Sequence, residues 1–233
     1  MANSNSISIK IWAGDPIQEV QVFKKEGRVS GAYIYIVENG TISPPLSKTL
    51  AVRKFPQPTT LRQVQSFLGL TGYFRKSIPE YSKIAKPLSD LLRKDNSFFF
   101  EQPPIEAFGK LKEISTSNPV LHIFKPAKKT ELHTDASQQG YGAVLLQEAD
   151  DGRLHPVYYM SKKTNAAEEK YSSYELEVLA IVAALKKLRA YLLGHKVKIV
   201  ANCSAFQKPW ERKIWSHVLQ DGQCFLKSLT MKK

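Results

Sequence analysis

The sequence predicts an α+β protein: a helical first half, then a mixed sheet with one packing helix. Three observations carry this. Apolar residues recur at three- and four-residue spacing between residues 59 and 118. From Thr130 the period changes to two, as half-buried strands require. A single long apolar-striped helix then precedes one more short β-prone run.

Residues 1–32 show no sustained period and read as poorly specified. "YIYIVENGTISP" is β-prone and closes on Asn39 and Gly40, a turn pair, before Pro44 and Pro45. In "FPQPTTLRQVQSFLGLTGYFRKSIPEY", Thr59 or Thr60 can cap a helix. Leu61, Val64, Phe67 and Leu68 follow at helical spacing, and Pro79 is the expected stop. "YSKIAKPLSDLLRK" and "PPIEAFGKLKEISTSN" read as two further helices, the second with Ile105, Phe108, Leu111 and Ile114 on one face.

"TELHTD", "YGAVLLQ" and "LHPVYYMS" read as three strands joined by short turns. The helix "AEEKYSSYELEVLAIVAALKKLRAYLL" places Tyr174, Val178, Ile181, Leu185 and Leu188 on one stripe and ends at Gly194. "KVKIVAN" is the fourth strand.

The 233 residues carry 34 Lys and Arg against 21 Asp and Glu, a formal charge of +13, which favours a polyanionic partner and nucleic acid first. Cys203 and Cys224 form neither a metal-ligand spacing nor a disulfide framework. No apolar run at the start reads as a signal peptide and none approaches a span of ~20 residues. The expectation is an intracellular protein of cytoplasm or nucleus, without a membrane.

Asp135 ends the first of the three strands. Glu175 and Glu177 stand two apart on the helix, so only one can face the sheet, and Glu177 lies nearer the buried side. Paired carboxylates from strand and helix would form a hard-oxygen site suited to Mg²⁺. Read from the residues alone, a turn cap explains Asp135 better, and a helical Glu is usually a solvated face. His133 alternates with Asp135, but one His beside one Asp is a weak metal signal. Tyr171 and Tyr174 fit core or rim better than base stacking, and His195 reads as helix-end chemistry.

The order and wording of "QVQSFLGLTGYFRKSIPEYSKIAKPLSDLLRK", "AFGKLKEISTSNPVL", "LHTDASQQGYGAVLLQ", "PVYYMSKK" and "KYSSYELEVLAIVAALKKLRAYLLGHKVKIV" resemble the Pol polyprotein of gypsy-class LTR retrotransposons. The resemblance covers residues 33–212. It implies the palm end, thumb and connection of a reverse transcriptase over 33–118 and an incomplete ribonuclease H-like domain over 119–212. In that family carboxylates clamp two Mg²⁺ ions that activate a water to cut the RNA strand of an RNA–DNA hybrid.

By the match, Asp135 is the first-strand metal ligand and Glu177 the helix ligand. The third catalytic position is Asn202, where the family has Asp, so the site is one charge weaker. The family's fourth acidic ligand and its polymerase carboxylates have no counterpart in this sequence. Arg62, Arg75 and Lys76 are the phosphate contacts that the thumb resemblance implies, for an RNA–DNA hybrid or primer–template, although solvated helix charges explain them equally well. Other parts of a Pol polyprotein are the further partners implied. The expected product is nucleic-acid related and catalytically inactive. A domesticated nucleic-acid binder and a residual Mg²⁺-dependent nuclease are the alternatives.

Residues 1–32 and 213–233 behave as if read out of frame. Permitted codons for "IQEVQVFKKEGRVSG" and for the tail, read in shifted frames, give strings similar to the family's own at those places. These two ends carry +1 and +3, so +9 belongs to the family-like middle.

Overall fold

The computed structural model describes residues 7–9, 20–22, 35–93, 98–117, 119–201 and 229–232. Most of the two ends expected to be out of frame therefore lies outside the described residues. The chain divides into two compact units, the division falling between Ile123 and Phe124 in the described part.

In the first unit, β1 (Ile7–Ile9) and β2 (Val20–Val22) pair antiparallel. β3 (Ile36–Glu38) and β4 (Thr41–Ser43) form the expected hairpin. Asn39 and Gly40 between them both have positive φ, 49° and 76°, the backbone that an Asn-Gly turn supplies at least cost. β5 (Leu121–His122) adds to β4.

Among the described residues, five helices follow β4 in sequence before β5. α1 spans Leu46–Arg53 and α2 Leu61–Gly72. Of the two candidate caps, Thr60 is the one used: its hydroxyl accepts from the Gln63 N–H at 3.3 Å. Gln63 Oε1 in turn accepts the Thr59 N–H at 2.6 Å. α2 stops at Gly72, well before Pro79, because the chain turns there to bury Phe74 and Ile78.

The predicted second helix is two short ones, α3 (Tyr81–Ile84) and α4 (Lys86–Asp90). Pro87 has no N–H to donate back into the preceding turn, so the ladder breaks near Ala85.

α5 (Gln102–Thr116) buries Pro104, Ala107, Phe108, Leu111 and Ser115, while Ile105 is 39% exposed. The buried stripe is thus rotated from the expected one. The face is set by Phe108, whose ring stacks at a tilt 4.5 Å from Phe67 of α2. Val52, Val64, Phe67, Phe74, Leu88 and Leu111 form the middle of this core.

The second unit is built on β6 (Thr130–Ser137), β7 (Gly140–Glu148), β8 (Leu154–Lys163), β9 (Val197–Ala201) and β10 (Leu229–Lys232). Their order is β10-β9-β6-β7-β8, with β6, β7 and β8 antiparallel and β9 and β10 joining in parallel. β10 lies in the tail and is a strand that sequence reading did not place.

The meander is tight at one end. A Cβ on Gly140 would stand 2.7 Å from the Lys162 carbonyl oxygen, so only glycine lets β7 and β8 approach there.

After a 3-10 turn at Glu168–Lys170 comes α6 (Ser173–Lys187), then α7 (Arg189–Leu192). α6 begins at a capping box. Glu175 N–H donates to Ser172 Oγ at 3.3 Å, and Ser172 N–H donates to Glu175 Oε2 at 2.8 Å. Its buried face is Leu176, Glu177, Ala180, Ile181 and Ala184, continued by Leu188, with Tyr174, Val178 and Leu185 only half-buried. Ala180 and Ala184 let the helix lie close on the sheet, which the larger residues of the predicted stripe would not. Leu132, Leu145, Val197 and Ile199 meet Ile181, Ala184 and Leu188 in one core.

Candidate functional site

The alternation of β6 sends Leu132 into the core beneath α6. Asp135 alternates with that set and stands exposed near the strand's end, opposite Gly142 of β7. The capping box decides between the two helix glutamates. Glu175 is exposed, and its bonds with Ser172 hold its carboxyl below the usual range. Glu177 faces inward, 9% exposed, and its Oε2 has no hydrogen-bond partner among the described residues.

Burial raises the Glu177 carboxyl above the usual glutamate value, and the negative charge of Asp135 raises it further. The strand carboxylate and the helix carboxylate therefore act on each other. An acid so placed is short of a cation or a donor, which is the electrostatic condition a divalent ion relieves. The donor set fits a hard cation, with two carboxylates and no thiolate. Among the described residues no cluster of three or more His, Cys, Asp or Glu side chains could hold a metal. Asn202, the third expected ligand, lies outside the described residues. Ala201, which precedes it, pairs with Thr134, which precedes Asp135. Thr134 Oγ1 is buried without a hydrogen-bond partner among the described residues.

His133 has another occupation. Its Nε2 lies 2.9 Å from Glu131 Oε2, and Glu131 Oε1 accepts from Lys198 Nζ at 2.8 Å. Glu131 is buried at 4% exposure, and Lys198 and then His133 hold its carboxyl below the usual range. This pair is a site element that sequence reasoning missed. The signal was present in "ELHTD" and "KVKIV", where Glu131 shares the phase of Asp135 and Lys198 alternates with core valine and isoleucine.

His195 packs its ring edge-on to Phe124, centroids 5.5 Å apart, at the end of α7. Tyr171 is exposed at 41% and Tyr174 half-buried, as rim residues are.

The three basic candidates of the first unit differ. Arg62 is exposed on α2. Arg75 is exposed with its guanidinium 5.8 Å from the Tyr81 ring centre. Lys76 is half-buried with Nζ 3.9 Å over Tyr35, whose ring stacks on Tyr73 at 5.1 Å. Burial lowers the Lys76 ammonium to about 8. The Tyr35 ring favours the charge and offsets part of that burial cost.

The folded value lies below the ordinary 10.5, so the penalty for charging Lys76 is full below pH 8 and is relieved as pH rises from about 8 toward 10.5. The melting temperature of the wild type should therefore rise relative to Lys76→Met across that window. Parallel melting curves from pH 7 to 10 check it.

Residues 100–199 match the family described as the RNase H-like domain found in reverse transcriptase. The retrovirus-related Pol polyprotein from transposon 297 of Drosophila melanogaster is 39% identical over 187 residues, 80% of this chain. The chain is homologous to retrotransposon Pol polyproteins over most of its length. Among its Pol relatives, the protein of transposon opus from the same fly is 38% identical over 69% of the chain. The transposon Tf2-3 polyprotein of Schizosaccharomyces pombe is 40% identical over 60% of it.

The chain spans only 17%, 17% and 11% of these three relatives. The foamy viral protease–reverse transcriptase shares the fold at 18% identity. Its complex with double-stranded DNA superposes at a TM-score of 0.68 over 85% of this chain and 38% of that one. The same viral protein with an RNA/DNA hybrid gives 0.66 over 87% and 29%. RNase H-like domains generally use divalent metals. No helix among the described residues is long and apolar enough to cross a membrane.

Proposed function

We propose that this Pol segment grips an RNA–DNA hybrid or primer–template and that its Asp135–Glu177 pair is a weakened Mg²⁺ site for cutting the RNA strand. The observation that carries the reading is the Glu177 carboxyl, buried, missing a partner at Oε2 and repelled by Asp135. Folding does not favour two like charges in that state, so a cation-binding role accounts for their retention.

Asp135 and Glu177 would hold the ion, and a bound divalent ion would activate water and offset charge on the leaving oxygen. The chain's own contribution is to aim the two carboxylates: α6 is anchored at its start by the Ser172–Glu175 box, and Asp135 is held opposite Gly142 in the β6–β7 ladder. Asn202 brings an oxygen but no charge, which leaves this reading with binding retained and cutting lost or residual. The +13 charge and Arg62 and Arg75 on the first unit supply candidate phosphate contacts.

The test is incubation of the full chain with a labelled RNA–DNA hybrid and Mg²⁺ over a salt series, alongside Asp135→Ala. Expected are binding that weakens linearly in log salt, little or no cleavage by the wild type, and none by Asp135→Ala. Cleavage abolished by Asp135→Ala would favour the residual nuclease. Binding that ignores salt would overturn the nucleic-acid reading itself.

A further inference from the structure

We infer that the pair of buried Glu131 with half-buried Lys198 is a register lock between β6 and β9, and so fixes where β9 ends beside β6. Glu131 and Lys198 are direct partners in the parallel ladder, their side chains meet at 2.8 Å, and His133 occupies the other carboxylate oxygen at 2.9 Å.

Apolar patterning cannot choose this register alone. If β9 slid two residues so that Val200 stood opposite Glu131, the in-and-out alternation would survive, with Ile199 and Ala201 taking the core places of Val197 and Ile199. Such a slip would leave a buried Glu131 facing an apolar residue, and an unpaired buried charge is strongly disfavoured. Sliding the other way would offer Lys196 to Glu131, but it would bring His195 to the place of Val197, which is 2% exposed. Hydrophobic pattern thus blocks one slip and the ion pair blocks the other.

A two-residue slip moves β9 by about 6.6 Å against β6. The present register sets Ala201, the last residue of β9, beside Thr134, which precedes Asp135. The consequence for metal binding rests on the function proposed above; the register itself does not.

The experiment is NMR on the isotopically labelled full chain, reading backbone contacts between β6 and β9 and, separately, shifts of Asp135 and Glu177 on titration with Mg²⁺. Lys198→Arg keeps the charge and should keep the Thr134–Ala201 contact. Glu131→Leu combined with Lys198→Leu replaces the pair by apolar residues that a core accepts, and should show contacts offset by two residues or broadened by exchange. Its Mg²⁺ affinity should fall about tenfold.

Glu131→Gln, which keeps size and removes charge, is the second variant should the double one fail to fold, and the same offset or broadening is expected. A single wild-type register in either of these variants would overturn the inference. Absence of any Mg²⁺ shift in the wild type would instead overturn the metal reading and leave the register result standing.

Discussion

Asn202→Asp is expected to raise Mg²⁺-dependent cleavage of the RNA strand of a hybrid by at least about a hundredfold over the wild type. The substitution adds one negative charge at the position that follows the Ala201–Thr134 pair. A charge of that kind is worth several kcal/mol to a two-cation site, and a hundredfold corresponds to roughly 2.7 kcal/mol. The gain should vanish when Asp135→Ala is added, because Glu177 and the new carboxylate together still lack the strand ligand beside them. Hybrid affinity measured without Mg²⁺ should hardly change. If Asn202→Asp leaves cleavage at the wild-type level while the protein remains folded, the weakness of the site does not lie at that position.

The second large effect concerns Glu177→Gln, which should stabilise the fold and abolish its response to Mg²⁺. Burial and Asp135 raise the Glu177 carboxyl, so the protonated form suits the folded state better. The associated stability is fully present below the unfolded value of 4.5 and is lost as pH rises through the folded one. When ionised, Glu177 is a desolvated, repelled carboxylate, and an amide of the same shape removes that charge. A gain of about 1 kcal/mol, or a few degrees in melting temperature, is expected.

The gain should shrink toward pH 4, where the wild type also holds a proton. In the wild type, Mg²⁺ should raise the melting temperature by mass action, and in Glu177→Gln it should not. Denaturation across pH 4–8 with and without Mg²⁺ measures all of this. Equal Mg²⁺ shifts in both proteins would show that the ion acts elsewhere.

Much of the second unit was legible from local pattern. Strict alternation in "TELHTD" and "YGAVLLQ" located β6 and β7, and Asn39 with Gly40 located the β3–β4 turn, because these signals depend on neighbours within a few residues. Helix faces were less legible. On α5 and α6 the largest apolar side chains suggested one stripe, whereas Ala107, Ala180 and Ala184 mark the face that packs closest.

The expectation that Glu177 rather than Glu175 turns inward agrees with the structure, yet the reason was invisible beforehand. Glu175 is taken by the Ser172 cap, and a cap depends on where the helix begins. The early end of α2 at Gly72 arises likewise from how Phe74, Ile78 and Leu88 are buried together.

The sequence by itself determined the α+β class, the succession of β6, β7, β8, α6 and β9, the excess of positive charge and the presence of an acidic residue on β6 and on α6. Those follow from short-range periodicity and composition. Only the tertiary structure decided that Glu177 is buried within reach of the Asp135 charge, that Lys76 is desolvated over Tyr35, and that Glu131 meets Lys198 across 67 positions of chain. Burial and pairing depend on which distant segments exclude water from one another, and residue spacing along the chain carries no record of that.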